Sequence, residues 1–495
     1  MPIRIGLFIC EKMKRSAFLS VTVLASLMIS MYACSSAPAE TSSPVPAAEN
    51  AAVAETEDAG GSEVKNWGGR AFNIISRGSD YGSWESFDVY TGEINGEPLN
   101  DSVYERNAAI MEKYGIEIVE TKMGTLEEKI RNLVMAGDAS YDAAVTSGVD
   151  ASNLSTGCYL RNLNSLPTLD LTNTWWDQNA VHDFKFGEKL FMGVSDFLIS
   201  DKDGSWVYVF NKRLADDLGV EYPYQAARDG TWTFDKMHSV ASVAVADLDG
   251  DGAMKPKKDR FGVATENYDT YAAFFYSGAR IFDIGDDGYP QYVLFSEYNE
   301  TAYSKYLDLF VRDSTIYFHG ESDTERVAFK DGRALFKGFT LLGVRNDFRD
   351  LEDDFGIIVA PKYDEAQKSY AHIVSIGTSG SVICVPLIIP DPEFTGSALD
   401  AVSRESTDTL LETYITKCFN GKYLRDEESC EMLELCFATR VYDISVIYTQ
   451  WGLLSKFYGL KPKADFSIAS LNASVEESIQ SNLEETIEIY KSMEE

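Results

Sequence analysis

The hexapeptide Asp247-Leu248-Asp249-Gly250-Asp251-Gly252 carries carboxylates at its first, third and fifth positions and a glycine at its sixth. Hard cations such as Ca2+ take several oxygen ligands, which alternate side chains of a turning loop supply while glycine permits the sharp bend. The second half of the loop departs from this pattern. Lys255 and Lys258 stand at its ninth and twelfth positions, Pro256 lies between them, and Asp259 comes one residue late. A longer loop brings Asp259 round as the closing ligand, which makes Asp247, Asp249, Asp251 and Asp259 the candidate ligands of a structural Ca2+. The same residues also suit an acidic turn with no ion. No nucleophile stands nearby, so an ion here would hold structure and take no part in chemistry.

A second constellation is aromatic. Flat rings stack on the C–H faces of sugars, and Asp, Asn, Arg or Thr groups bond the hydroxyl rim. Tyr81 and Trp84 follow the first predicted strand, Thr146 and Ser147 follow a later one, and Tyr276 precedes Ser277-Gly278. Tyr442 and Trp451 come late in the chain, and Arg345 follows Phe336-Lys337-Gly338. These eight residues are the candidate ligand contacts. Trp175, Trp176, Trp206, Trp232 and Phe234 are assigned to packing, the usual place of a large aromatic residue.

Catalytic signatures are missing. The histidines His182, His238, His319 and His372 are widely spaced, so there is no H-E-x-x-H helix. Gly377-Thr378-Ser379-Gly380-Ser381 has its second glycine one residue too early for a nucleophile elbow. Neither a Walker loop nor G-x-G-x-x-G occurs. Paired carboxylates could serve a glycosidase, but among 78 acidic residues such pairs are everywhere and distinguish nothing. A net charge of −34 opposes nucleic acid as a partner. Beyond Cys34, Cys158, Cys384, Cys418, Cys430 and Cys436 are odd in number and form no C-x-x-C pair, which speaks against a disulfide framework or a zinc site.

The elements that must position these residues alternate. A strand at Ala71–Ser76 leads to a polar, aromatic loop at Arg77–Trp84, and a helix starting by Asn100 or Asp101 runs to Gly115. A strand at Ile116–Glu120, a helix with Leu126, Ile130, Leu133 and Val134 on one face, and a strand at Tyr141–Thr146 follow. This order predicts a parallel α/β sheet with ligands beyond the carboxyl ends of its strands, facing Arg77–Trp84 and Thr146-Ser147-Gly148.

At the start of the chain, Lys14 and Arg15 precede an apolar run, Ala17–Met31, and Ala33 stands before Cys34. This is the layout of a secretory signal, and its ending is similar to a bacterial lipobox in which Cys34 is lipidated. Residues 34–65 are rich in Ser, Ala, Pro, Thr and Glu and read as a disordered tether.

Several motifs then add up in order: Val209-Phe210-Asn211-Lys212, Thr231-Trp232-Thr233-Phe234-Asp235-Lys236-Met237, the Asp-rich hexapeptide, and Phe329-Lys330-Asp331-Gly332-Arg333-Ala334-Leu335-Phe336. Asp354-Phe355-Gly356-Ile357, Ala360-Pro361-Lys362-Tyr363-Asp364 and Arg440-Val441-Tyr442-Asp443 extend the series. Together with the lipobox they resemble the extracellular solute-binding lipoproteins of bacterial ABC importers, of the carbohydrate-associated family 1 type. That resemblance implies two α/β lobes of the type II periplasmic-binding-protein architecture, joined by two or three hinge crossings and closing on a solute. The expected division is a signal at 1–33, a tether at 34–65, a first lobe at 66–200 plus 340–400 and a second at 201–339 plus 401–495. The implied role is that of a monomeric receptor, lipid-anchored at the outer face of the cell membrane, passing a solute such as an oligosaccharide to an ABC permease with no cofactor required. A surface protein that binds glycans or peptides without transport, and a secreted glycoside hydrolase, are the competing readings.

Overall fold

Two separate sheets, each flanked by helices, carry the fold. The computed structural model describes residues 65–313, 316–319, 324–348, 351–417, 426–459 and 466–493. The expected signal, Cys34 and all of the tether but Lys65 lie outside the described residues.

The first sheet begins with β1 (Arg70–Arg77), which buries Phe72, Ile74 and Ile75. Next comes α1 (Pro98–Tyr114), which starts earlier than its apolar pattern suggests because Glu97 accepts the Leu99 and Asn100 amides and Pro98 preorganises the first turn. It ends at Gly115, whose left-handed backbone closes the last turn. The chain continues through β2 (Ile116–Met123), α2 (Leu126–Ala136), β3 (Ala143–Thr146) and α3 (Gly148–Thr156). β1 lies between β2 and β3 and runs parallel to both, with Ile75 opposite Thr121 and Ala144. The strand-helix alternation is the expected one.

A short helix, α4 (Ser200–Asp203), leads to the second sheet. Its strands are β4 (Trp206–Asn211), β5 (Phe261–Thr265), β6 (Tyr317–His319), β7 (Ala334–Thr340) and β8 (Phe355–Ile358), in the order β8-β4-β7-β5-β6. β5 runs parallel to β6 and β7, whereas β4 is antiparallel to β7 and β8. Every residue of β4 and β5 is buried, as expected of strands covered on both faces. The helix α5 (Asn267–Tyr276) follows β5 directly. The chain then returns to the first sheet as β9 (Val382–Cys384), antiparallel to β3, and α6 (Pro392–Ser406) packs on α1. The last helix, α7 (Ile468–Ser492), reaches α3 through a 2.6 Å hydrogen bond between Ser155 and Tyr490.

These pairings shift the expected division of the chain. β8 falls in the range assigned to the first lobe but hydrogen-bonds to β4 in the second sheet. α6 runs past residue 400 without a break, and α7, assigned to the second lobe, touches both: Ala469 donates to Glu300 of the expected second lobe and Tyr490 bonds Ser155 of the first. Long-range pairing decides membership, and local hydrophobic pattern carries no record of it.

The passages between the sheets lie side by side. Ser375 donates its amide to Gly204 at 2.8 Å, Ser205 bridges to Val374, and His372–Ile373 pairs with Arg440–Val441. Buried charges tie this junction: Arg440 to Asp177 and Asp201, Lys202 to Asp196 and Asp201, and Arg345 to Asp203. Burial pushes the carboxyls of Asp196, Asp201 and Asp203 above their ordinary range, against the pull of those cations.

Candidate functional site

Arg77 closes β1 and Thr146 closes β3, so both stand at the carboxyl end of the first sheet. The buried Arg77 guanidinium donates to the carbonyls of Thr378 and Ser379, at 3.0 and 3.2 Å, and to Ser381 Oγ at 2.5 Å. Burial pulls it down to about 10, against the field of Asp88. Beside it, Asp150 Oδ2 accepts from Thr146 Oγ1 at 3.0 Å and from the Tyr81 hydroxyl at 3.2 Å. Ser147 caps α3 by accepting the Asp150 amide, and the Tyr81 hydroxyl also accepts from the Leu126 amide. Burial pushes that phenol up to about 12. Tyr81 and Thr146, singled out in the sequence, therefore converge on the Asp150 carboxylate, and Ser147 holds the backbone amide of the same residue.

The corresponding end of the second sheet faces the same connecting segment, 375–381. The tyrosine hydroxyl of Tyr268, in the first turn of α5, bonds Ser375. Gly148 and Val149 at the start of α3 donate to Ile376 and Gly377. A Cβ at Gly377 would collide with the carbonyl of Val446, so glycine is required where this strap passes the 444–446 turn. Trp206, the first residue of β4, stacks on Tyr268 with ring centroids 4.5 Å apart and planes 13° apart. Trp206 is buried in the core, as its packing assignment expects, and stands at the sheet end.

Of the other expected contacts, the buried Tyr276 lies beside the second sheet and the rest fall elsewhere. Trp84 ends the 3-10 turn Ser79–Trp84 and is half-buried. Arg345 is held by Asp203 at the junction, with its guanidinium over the Phe87 ring at 5.3 Å. Tyr276, Tyr442 and Trp451 lie in the core. Tyr276 packs between Tyr208 and His372, Tyr442 donates to Asp177 at 3.0 Å, and Trp451 stacks on Tyr448 at 4.5 Å. Their neighbouring glycines and serines suggested loop exposure, but apolar neighbours distant in sequence cover them. Asp150, Ser381 and Tyr268 went unnoticed; the one local sign was Trp206 standing first in its strand, just after the polar Asp201-Lys202-Asp203-Gly204-Ser205.

In the Asp-rich loop, oxygens of Asp247, Asp249 and Asp259 lie within 4.8 Å of one another, a spacing that suits a hard cation. Asp259 is buried and accepts the Leu248 amide at 2.8 Å and the Lys255 amide at 2.6 Å. Asp251 does not join the cluster; it pairs with Lys255, and Lys258 pairs with Asp249 at 2.8 Å.

Solved structures share this fold. The cyclic α-maltosyl-1,6-maltose binding protein of Arthrobacter globiformis matches with a TM-score of 0.54 and 14% identity, over 83% of this chain and 98% of its own. The fold is that of the sugar-binding ABC substrate-binding proteins. The galacto-N-biose-/lacto-N-biose I-binding protein of the Bifidobacterium longum ABC transporter gives 0.54 and 12%, over 85% and 99% of the two chains. The ABC substrate-binding protein Lmo0181 of Listeria monocytogenes, in complex with cycloalternan, gives 0.51 and 15%, over 84% and 99%. No protein-family model and no curated protein matches the sequence. The architecture is α/β and two-lobed.

Proposed function

We propose that the protein is an extracellular receptor that binds a carbohydrate, an oligosaccharide by its aromatic richness, and hands it unaltered to an ABC permease. The observation that carries this reading is the single strap, 375–381, laid across the carboxyl ends of both sheets beside adjacent chain passages. Such a junction lets two lobes turn about short segments, and a solute drives closure by its extra affinity for the closed form. Arg77, Asp150, Thr146 and Ser147 supply hydroxyl-bonding chemistry on one side, while Trp206 and Tyr268 supply rings on the other. Among the described residues no nucleophile-base pair accompanies them, which favours a binder over a hydrolase.

The receptor is monomeric and anchored at the outer face of the cell membrane through lipid on Cys34, with residues 34–65 as its tether. The sequence of the signal segment supports this, and Cys34→Ser is expected to release the protein from the membrane fraction.

The Asp247–Asp259 loop holds a structural Ca2+, supported by its three converging carboxylates. Asp249→Ala is then expected to lower the melting temperature with calcium present and to leave it unchanged in chelator.

The deciding experiment is a thermal-shift screen against mono- and oligosaccharides, amino acids and short peptides. A cognate sugar at 100 times its Kd stabilises the folded state by about 2.7 kcal/mol and is recovered unaltered. A peptide hit with silence from every sugar changes the solute class, and consumption of a glycan revives the hydrolase.

A further inference from the structure

Trp206 is 4% exposed, and half-buried Tyr268 is the member of the stacked pair that reaches solvent. Around them, three buried polar atoms have no hydrogen-bond partner among the described residues: Trp206 Nε1, Asp269 Oδ1 and the Tyr276 hydroxyl. All three belong to one neighbourhood. Tyr208 shares a sheet face with Trp206 two residues away and stands opposite Gly338 in β7. A Cβ at Gly338 would collide with Asp269 Oδ1, so that carboxylate lies directly over the strand. The Tyr276 ring meets Tyr208 edge-on at 5.9 Å, and the charge of Asp269 acts on the Tyr276 hydroxyl. Lys337 Nζ completes the group, 3.5 Å from Asp269 Oδ2.

A buried polar group left without a partner costs about 1–3 kcal/mol. Here a donor, an acceptor and a hydroxyl able to be either are gathered beside an indole face. That is a costly way to build a core. It is also the chemistry that binds a polyhydroxylated ring, whose C–H face stacks on indole while its hydroxyls pair at the edge. Tyr268 already takes that indole face with a flat ring bearing one hydroxyl. It sits in the first turn of α5, which Glu266 and Asp269 fix by a reciprocal cap, so Tyr268 can leave by side-chain rotation, giving up its bond to Ser375, with the helix intact.

We propose that Tyr268 is a plug over a sugar subsite: one hydroxyl-bearing ring of the solute displaces it, stacks on Trp206, and bonds Asp269 and the Tyr276 hydroxyl, while Trp206 Nε1, in the plane of the indole, donates to an adjoining ring. This inference rests on the carbohydrate-receptor reading above.

The test is calorimetric titration of the full chain with maltose, maltotriose, cellobiose, lactose and xylobiose, repeated on Tyr268→Ala, Trp206→Phe and Asp269→Asn. Removing the plug relieves a closed fraction of the subsite, so Tyr268→Ala is expected to tighten the Kd of the binding sugar roughly tenfold. Trp206→Phe keeps a ring, loses the N–H, and is expected to weaken it roughly fivefold. Tyr268→Ala and Trp206→Phe each keep the buried Asp269–Lys337 pair, so they decide the matter even if Asp269→Asn fails to fold. Weaker or unchanged binding by Tyr268→Ala overturns the plug while the receptor reading stands. Silence of the unaltered protein toward all five sugars overturns both.

Discussion

Arg77 and Asp150, at the carboxyl end of the first sheet, have protein partners for nearly every polar atom, whereas Trp206, Asp269 and Tyr276 beside the second each keep one without. On the first side Arg77 Nε and the neighbouring Ser86 Oγ also lack a partner among the described residues. The first side is preorganised: its hydrogen bonds tie β1 and the strap, and β3 and the 79–84 turn, into one piece before any solute arrives. The second side stores unmet hydrogen-bonding capacity under a movable ring. A two-lobed receptor gains from that asymmetry. A rigid lobe offers a fixed template, and a lobe whose polar groups are satisfied only on binding makes closure depend on the right solute.

The comparison breaks most visibly at Arg77. Arg77→Met removes three hydrogen bonds to the strap, from the carbonyls of Thr378 and Ser379 and the buried Ser381 hydroxyl, an expected loss of about 3 kcal/mol in urea unfolding. A loss below about 1 kcal/mol would mean that the first side is not the rigid one. On the second side, Gly338→Ala drives a methyl group into Asp269 Oδ1 and is expected to cost about 2 kcal/mol. An unchanged melting temperature there would show that the Asp269 carboxylate does not lie over β7.

Much of the first sheet could be read in advance because its order is local. The run from Ala71 to Thr146 alternates strand and helix with caps and glycines at the breaks, and its loops lead to Tyr81, Thr146 and Ser147, which do come together. The second side was opaque for a physical reason. Trp206 and Tyr268 are far apart in sequence and meet only because β4 enters antiparallel to β7, while Asp269 looks like any acidic residue in the first turn of a helix. Tyr442 and Trp451 misled in the opposite way, since the rings that bury them, Phe184 and Phe282, lie in distant segments. The strap 375–381 shows both lessons. Its Gly and Ser residues read as a failed catalytic motif, yet they let a backbone pass closely between two lobes.

The smallest expected effect sharpens the contrast at the junction itself. His372 is buried; its Nε2 lies 2.9 Å from the Ala360 amide and its Nδ1 2.8 Å from Thr439 Oγ1. Ala360 can only donate, and Thr439 already donates to Leu435, so the ring is neutral, accepting at Nε2 and donating from Nδ1. Burial pulls the imidazole from 6.5 down to about 3. Between those values the unfolded chain holds a proton that the folded chain lacks, so stability rises with pH across the window and is lost as pH falls from 6.5 toward 3. Asp269, which burial pushes up to about 6, has the opposite sign: the folded state takes up its proton first, and stability falls as pH rises from 3.8 toward 6. His372→Gln removes only the first contribution. Relative to the unaltered protein it should lose less stability on acidification, by on the order of 1 kcal/mol at one unit below 6.5, in urea titrations run at each pH. Parallel curves for the two proteins would mean that His372 is already charged in the folded state, and that the junction, like the second side, keeps a polar group unmatched.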